Sequence, residues 1–122
     1  MLTAGPAKKV TVYVGETAQY HGKPVYLAVL ELLFHHGLTG ATAIRGIAGF
    51  GTHHQLHTHR FLELSTNLPV KIEFTEEASR LGPVLEKLYE IVGTGLIEMQ
   101  DTTVLKAPGT MAQAPLEEPP TD

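Results

Sequence analysis

The chain is 122 residues long, enough for one domain, and its 43% hydrophobic and 18% charged content is that of a globular protein, which excludes wholesale disorder. Nine lysines and arginines stand against 13 acids, giving a formal charge of −4, so there is no cationic excess to bind nucleic acid generally. With 0 cysteines there is no disulfide framework, thiolate nucleophile or cysteine-ligated zinc, and no apolar run reaches the roughly 18 residues of a membrane-spanning helix. The start lacks a basic and then apolar leader, so the expected location is cytoplasmic.

Lys9 to Val14 alternates, with Val10, Val12 and Val14 on one side and Thr11 and Tyr13 on the other, which predicts a strand with one apolar face. Gly15-Glu16-Thr17 ends it. Lys23-Pro24 then opens a helix with Pro24 at the first helical position, where its missing N–H costs nothing. Tyr26, Leu27, Leu30, Leu33 and Phe34 make its apolar stripe. His35 and His36 are favourable charges at its C-terminus, and Gly37 stops it.

Ala41–Ile47 predicts a second strand, and Val70, Ile72 and Phe74 alternate with Lys71, Glu73 and Thr75 to make a third. Thr75 is the expected cap of a second helix, with Glu76 and Glu77 at its positive end and Leu81, Leu85, Leu88 and Val92 as its inner stripe. Pro83 calls for a kink or a late start. Gly93 and Gly95 stop this helix, and Leu96–Val104 is the last strand.

The order strand, helix, strand, strand, helix, strand predicts an α+β, ferredoxin-like βαββαβ fold: a four-stranded antiparallel sheet with both helices on one face. The other face would carry Thr11, Tyr13, Lys71, Glu73 and Arg45, and could meet water or a partner subunit. The domain spans 8–106. From Ala107 the chain has four prolines, three acids and no lysine or arginine, which predicts a disordered tail over 107–122.

The connection between the second and third strands is much longer than a hairpin needs. It follows Gly46, Gly49 and Gly51, whose backbone can come close to a ligand and form an anion-binding nest, or can simply be a flexible neck. It carries His53, His54, His57 and His59. His57 and His59 would share a face of a strand, or His53 and His57 a face of a helix. Either pair can hold a divalent metal, although the nearest acid is Glu63.

Among other candidates, Arg60 can meet phosphate oxygens. Glu16 can accept from a ribose or cap its loop. Lys23 is a phosphate contact or a solvated charge, and Arg45 is in an interface ion pair or on a ligand. Ser65 and Ser79 have no nucleophile-elbow context, no phosphate-loop motif is present, and no acid–base pair is legible, so no catalytic residue is assigned.

Val-Tyr-Val-Gly-Glu at 12–16, Gly-Lys-Pro at 22–24, Gly-Ala-Thr-Ala-Ile-Arg-Gly-Ile-Ala-Gly-Phe-Gly at 40–51, His57-Thr58 and Leu-Pro-Val-Lys-Ile-Glu at 68–73 resemble the domain-of-unknown-function family one hundred and ninety, often called P-II-like. The resemblance covers about residues 8 to 105. It implies the fold of nitrogen-regulatory P-II proteins, which are homotrimers whose inter-subunit clefts bind adenine nucleotides. Their long T-loop, matched here by 52–67, engages a membrane transporter or enzyme. It therefore implies a non-enzymatic regulator that requires no cofactor; the glycine cluster beside the overlong connection places the expected ligand at Gly46, Gly49, Phe50 and Gly51, with Glu16, Lys23, Arg45, Thr52 and Arg60 as candidate side-chain contacts. P-II proteins carry basic residues between the last helix and strand, where this chain has Val92-Gly93-Thr94-Gly95, and an Arg-Gln pair where it has Thr52-His53. Those departures favour AMP, ADP or a cyclic nucleotide over magnesium-bound ATP. No tyrosine lies between Gly51 and Lys71 for uridylylation. The alternative function is a histidine-rich metal-binding trimer similar to copper-tolerance proteins, using His53, His54, His57 and His59.

Overall fold

A computed structural model of the chain describes residues 1–51, 57–60, 63–64 and 67–109, with only the backbone at 57–60 and 63–64. In chain order the elements are strand β1 (Gly5–Gly15), the short pair β2 (Gln19–Tyr20) and β3 (Lys23–Pro24), helix α1 (Val25–His35), and strands β4 (Thr42–Arg45), β5 (Ala48–Gly49), β6 (His57–Arg60), β7 (Glu63–Leu64) and β8 (Pro69–Glu76). A 3-10 turn (Ala78–Arg80), helix α2 (Gly82–Val92) and strand β9 (Leu96–Val104) complete them.

The main sheet has the order β4-β8-β1-β9 with every pair antiparallel, which is the ferredoxin-like arrangement that the element order predicts. The register places Val10, Val12 and Val14 opposite Phe74, Ile72 and Val70. Cross-strand partners point to the same side. These six side chains therefore form one buried face, covered by Val25, Ala28, Val29 and Leu33 of α1 and by Val84, Leu88, Ile91 and Val92 of α2. No helix among the described residues is long and apolar enough to cross a membrane.

Several local expectations are corrected. In α1 the buried residues are Val25, Ala28, Val29 and Leu33, while Leu27 and Phe34 face outward, Phe34 at 78% exposure. This helix is apolar on nearly every side, so spacing alone could not choose its inner face. Pro24 is the residue before the helix, with an extended ψ of 136°, and not its first helical residue. The second strand stops at Arg45: the next position faces Pro69, whose carbonyl still accepts the Gly46 N–H at 2.7 Å but which has no N–H to return.

Thr75 does not cap a helix: β8 runs on through Glu76, and α2 starts late, with Pro83 in its first turn where no N–H is needed. Glu76 is not at a helix end but wholly buried. Its Oε1 accepts the N–H of Thr39 at 3.1 Å, and its Oε2 accepts Arg80 Nη1 at 3.2 Å and the N–H of Glu77 at 3.3 Å.

The open sheet face also differs from expectation. Arg45 lies opposite Val70, on the helix side of the sheet, and is not on the open face. Thr11, Tyr13, Lys71 and Glu73 do lie on that face, and the registers of three strand pairs add Ile44 and Leu96 in one row with Lys71 and Tyr13. Ile44 is 54% exposed and Leu96 51%, so this face presents apolar side chains to its surroundings. At the far end, Leu2 and Ala7 pack with Ala107, so order extends before residue 8 and beyond Lys106. Residues 110–122 of the expected tail lie outside the described residues.

Candidate functional site

Three places where the chain changes direction converge at one end of the sheet. β1 ends at Gly15, and the segment before β8 ends at Asn67-Leu68. The turn from α2 into β9 passes through Thr94-Gly95. Backbone bonds tie the first two together: the N–H of Glu16 donates to the Leu68 carbonyl at 2.8 Å, and the N–H of Thr17 to Asn67 Oδ1 at 3.1 Å. Gly46 closes onto Pro69 as described, so both roots of the long connection are fastened beside the β1 turn.

Between these turns and Gly49-Phe50-Gly51 lies a groove of about 640 Å³. Its apolar walls are Val14, Ala18, Pro69, Val92, Leu96 and Phe50, and Phe50 is 67% exposed. Its polar side chains are Tyr13, Asn67 and Thr94. Among the described residues, no lysine, arginine, aspartate or glutamate lines it. Such a wall suits a flat, uncharged ring system with a few hydrogen bonds better than it suits a polyphosphate.

The residues picked out from sequence divide by place. Gly49, Phe50 and Gly51 line the groove. Arg45 and Glu16 do not line it: Glu16 follows the lining residue Gly15, Arg45 pairs with Val70 beside the lining residue Pro69, and the two are joined as an ion pair with Nη1 and Oε2 2.8 Å apart. The Arg45 guanidinium is thus held by Glu16 within the same chain. The amide of Gly46 is committed to Pro69, so it is not available to cradle an anion. Its glycine character has a packing reason: a Cβ there would lie 2.9 Å from Pro69 Cγ, and one at Gly49 would lie 3.0 Å from the same atom.

Lys23 is in the β2–β3 hairpin, ion-paired with Glu31 of α1, and is not part of the groove wall. Thr52, His53 and His54 lie outside the described residues, as do the side chains of Arg60, His57 and His59. The last three residues fall in strand β6, so the helical arrangement of His53 with His57 does not arise at His57. The expected T-loop segment contains β6 and β7, which pair with each other, while β6 also pairs with β5.

Sequence reasoning missed Gly15, Asn67 and Thr94. Gly15 and Asn67 had a signal in the repeated punctuation of strand ends, but only the fold shows that these ends meet.

Comparison with known proteins places these observations in a family. Residues 7–104 match the model of DUF190, described as an uncharacterised ACR, COG1993. A UPF0166 protein of Aquifex aeolicus is 35% identical over 100 residues, covering 80% of this chain and 92% of that protein. A UPF0166 protein of Methanocaldococcus jannaschii is 36% identical over 101 residues, covering 82% and 93%. Among solved structures, CPII, a nitrogen regulatory PII-like protein from Thiomonas intermedia K12 bound to ADP, AMP and bicarbonate, superposes with a TM-score of 0.61. It is 18% identical and the match covers 85% of this chain and 92% of that one.

Proposed function

The chain belongs to the DUF190 family, and from that premise we propose that it is a P-II-like regulatory protein, not an enzyme, that senses a small adenine nucleotide. The observation that carries this reading is the groove at the root of the long connection, open beside Gly49-Phe50-Gly51 and free of charged side chains among the described residues. A planar base fits an apolar wall with scattered donors. The absence of cations from the wall among the described residues favours AMP, ADP or a cyclic nucleotide over ATP, since each further phosphate brings charge that these residues do not meet. The structural likeness to CPII, which was solved with ADP and AMP, points to the same ligand class.

The functional unit in this proposal is a homotrimer. Ile44, Tyr13 and Leu96 give the open sheet face an apolar row interrupted only by Lys71, and burial against another copy would remove it from water. Such a neighbour would also bring further walls to the groove, whose rim includes Tyr13 and Leu96 of that same row. Ligand binding would then bias the connection between Gly51 and Asn67, because both of its roots border the groove. A ligand can shift that segment only by binding one of its states more tightly. A partner, a membrane transporter or an enzyme, would read the shifted segment.

Calorimetric titration with AMP, ADP, ATP and 3′,5′-cyclic AMP, alongside light scattering, tests the proposal. The expected result is a trimer that releases or absorbs heat with AMP, ADP or the cyclic nucleotide and binds ATP more weakly. A monomer that gives no heat and no thermal shift with any of the four refutes it.

A further inference from the structure

We infer that Asn67 is the residue that reads the bound base, donating from its side-chain amide to a ring nitrogen of a purine; this rests on the adenine-nucleotide reading of the groove. Three observations converge on that residue. Asn67 lines the groove. Its Oδ1 accepts the N–H of Thr17 at 3.1 Å, and only a carbonyl oxygen can fill that role, so the amide cannot flip. Nδ2 is therefore presented purely as a donor, and among the described residues no acceptor meets it.

The third observation is the floor beneath the amide. A Cβ on Gly15 would lie 2.5 Å from Oδ1 and 3.2 Å from both Cγ and Nδ2 of Asn67. The amide, oxygen foremost, occupies the space that a Gly15 side chain would take, and any side chain there would displace it. Tyr13 and Thr94, the other polar side chains of the groove, carry hydroxyls that rotate and can donate or accept, so they discriminate poorly between ligand atoms. Among the described residues of this wall, only Asn67 combines a locked orientation with an obligatory donor. Adenine ring nitrogens are acceptors. Replacing the one that Asn67 meets by C–H would leave the donor facing carbon, the mismatch that polar sites reject most strongly.

The test titrates the full chain with AMP and with the three deaza analogues in which N1, N3 or N7 becomes C–H. Wild-type protein should bind one of the three about tenfold more weakly than AMP, the size of one well-placed hydrogen bond. Asn67→Asp keeps an oxygen for Thr17 but loses the donor. It should weaken AMP by tenfold or more and bind the discriminated analogue no worse than AMP. Gly15→Ala, which displaces the amide without removing it, should reproduce the loss if Asn67→Asp fails to fold. Wild-type affinity for AMP in either folded variant, or equal binding of all three analogues by the wild type, overturns the role of Asn67 while leaving nucleotide binding intact. Absence of AMP binding by the wild type overturns both.

Discussion

Replacing the buried carboxylate by its amide, Glu76→Gln, changes shape very little and hydrogen bonding a great deal. Glu76 is 0% exposed and takes three donors: the N–H groups of Thr39 and Glu77 and Nη1 of Arg80. A glutamine has one acceptor oxygen. If it serves Thr39, its NH2 faces Arg80 and Glu77; if it turns over, the Thr39 N–H is orphaned. The loss is one charge-assisted bond, worth roughly 1.5–3 kcal/mol, plus a buried donor left unmet at roughly 1–3 kcal/mol. Arg80 softens this, because its Nη2 still donates to the Gly37 carbonyl at 2.9 Å and its side chain is 29% exposed. The net expectation is about 3 kcal/mol, a large share of the roughly 5–15 kcal/mol that holds a domain folded. Urea denaturation at one fixed protein concentration reads it as a fall of about 2 M in midpoint, taking m as ~1.5 kcal/mol/M. Arg80→Met should cost a similar amount, and the double variant less than the sum, because both remove the same bond. A loss under about 0.5 kcal/mol for Glu76→Gln, or strict additivity of the pair, would refute this account of the clamp.

Two exposed contacts give pH readouts. The Tyr20 hydroxyl donates to Glu90 at 2.5 Å, and this bond, followed by desolvation and the nearby negative charge, raises the Tyr20 pKa. The contact's contribution to stability is complete below the ordinary tyrosine value and is lost as pH rises through the raised one. Phenolate absorbance should therefore show one tyrosine titrating late, and Glu90→Gln should bring it earlier. Lys8 Nζ sits 2.5 Å from Asp101 and, by hydrogen bond first and charge second, holds that carboxyl below the usual range. That pairing is present above the ordinary aspartate value and is lost as pH falls through the lowered one, so carboxyl NMR should find Asp101 titrating late on acidification, and Lys8→Met should abolish the lag.

What was legible in the sequence was the periodicity of two. Val10-Val12-Val14 and Val70-Ile72-Phe74 announced two strands whose apolar faces could only meet in one core, and the element order then left little choice of topology. The helices were less readable for opposite reasons. α1 is apolar on nearly all sides, so the pattern held no information about which side turned inward. α2 begins where Pro83 permits, but Thr75-Glu76-Glu77 mimics a helix start. What overrides that local signal is tertiary: Glu76 gathers donors from Thr39, 37 residues earlier, and from Arg80.

The site divides along the same line. Gly-Phe-Gly is local and was visible. The meeting of Gly15, Asn67 and Thr94 depends on contacts across the whole chain and was not. Arg45 and Glu16 each stand out in the sequence, but nothing local says that the two pair with each other.

The glycines near the groove separate packing from binding, and that separation can be measured. Gly46 must be a glycine because a Cβ would press to 2.9 Å of Pro69 Cγ and 3.4 Å of its carbonyl oxygen. Gly46→Ala should therefore destabilise the fold by about 1–2 kcal/mol, within the range for overpacking, whether or not a ligand is present. Gly51 differs: it has no positive φ, and among the described residues a Cβ would meet nothing within 4 Å, although the residue lines the groove. Packing among the described residues therefore gives no reason for glycine there, whereas close approach by a ligand would. Gly51→Ala should leave the urea midpoint unchanged, or raise it slightly through the less flexible unfolded chain, while weakening AMP in calorimetry about tenfold. If Gly51→Ala instead lowers stability as much as Gly46→Ala and leaves AMP affinity untouched, the glycine serves the fold, and Gly49-Phe50-Gly51 ceases to be a reason for placing a ligand in this groove.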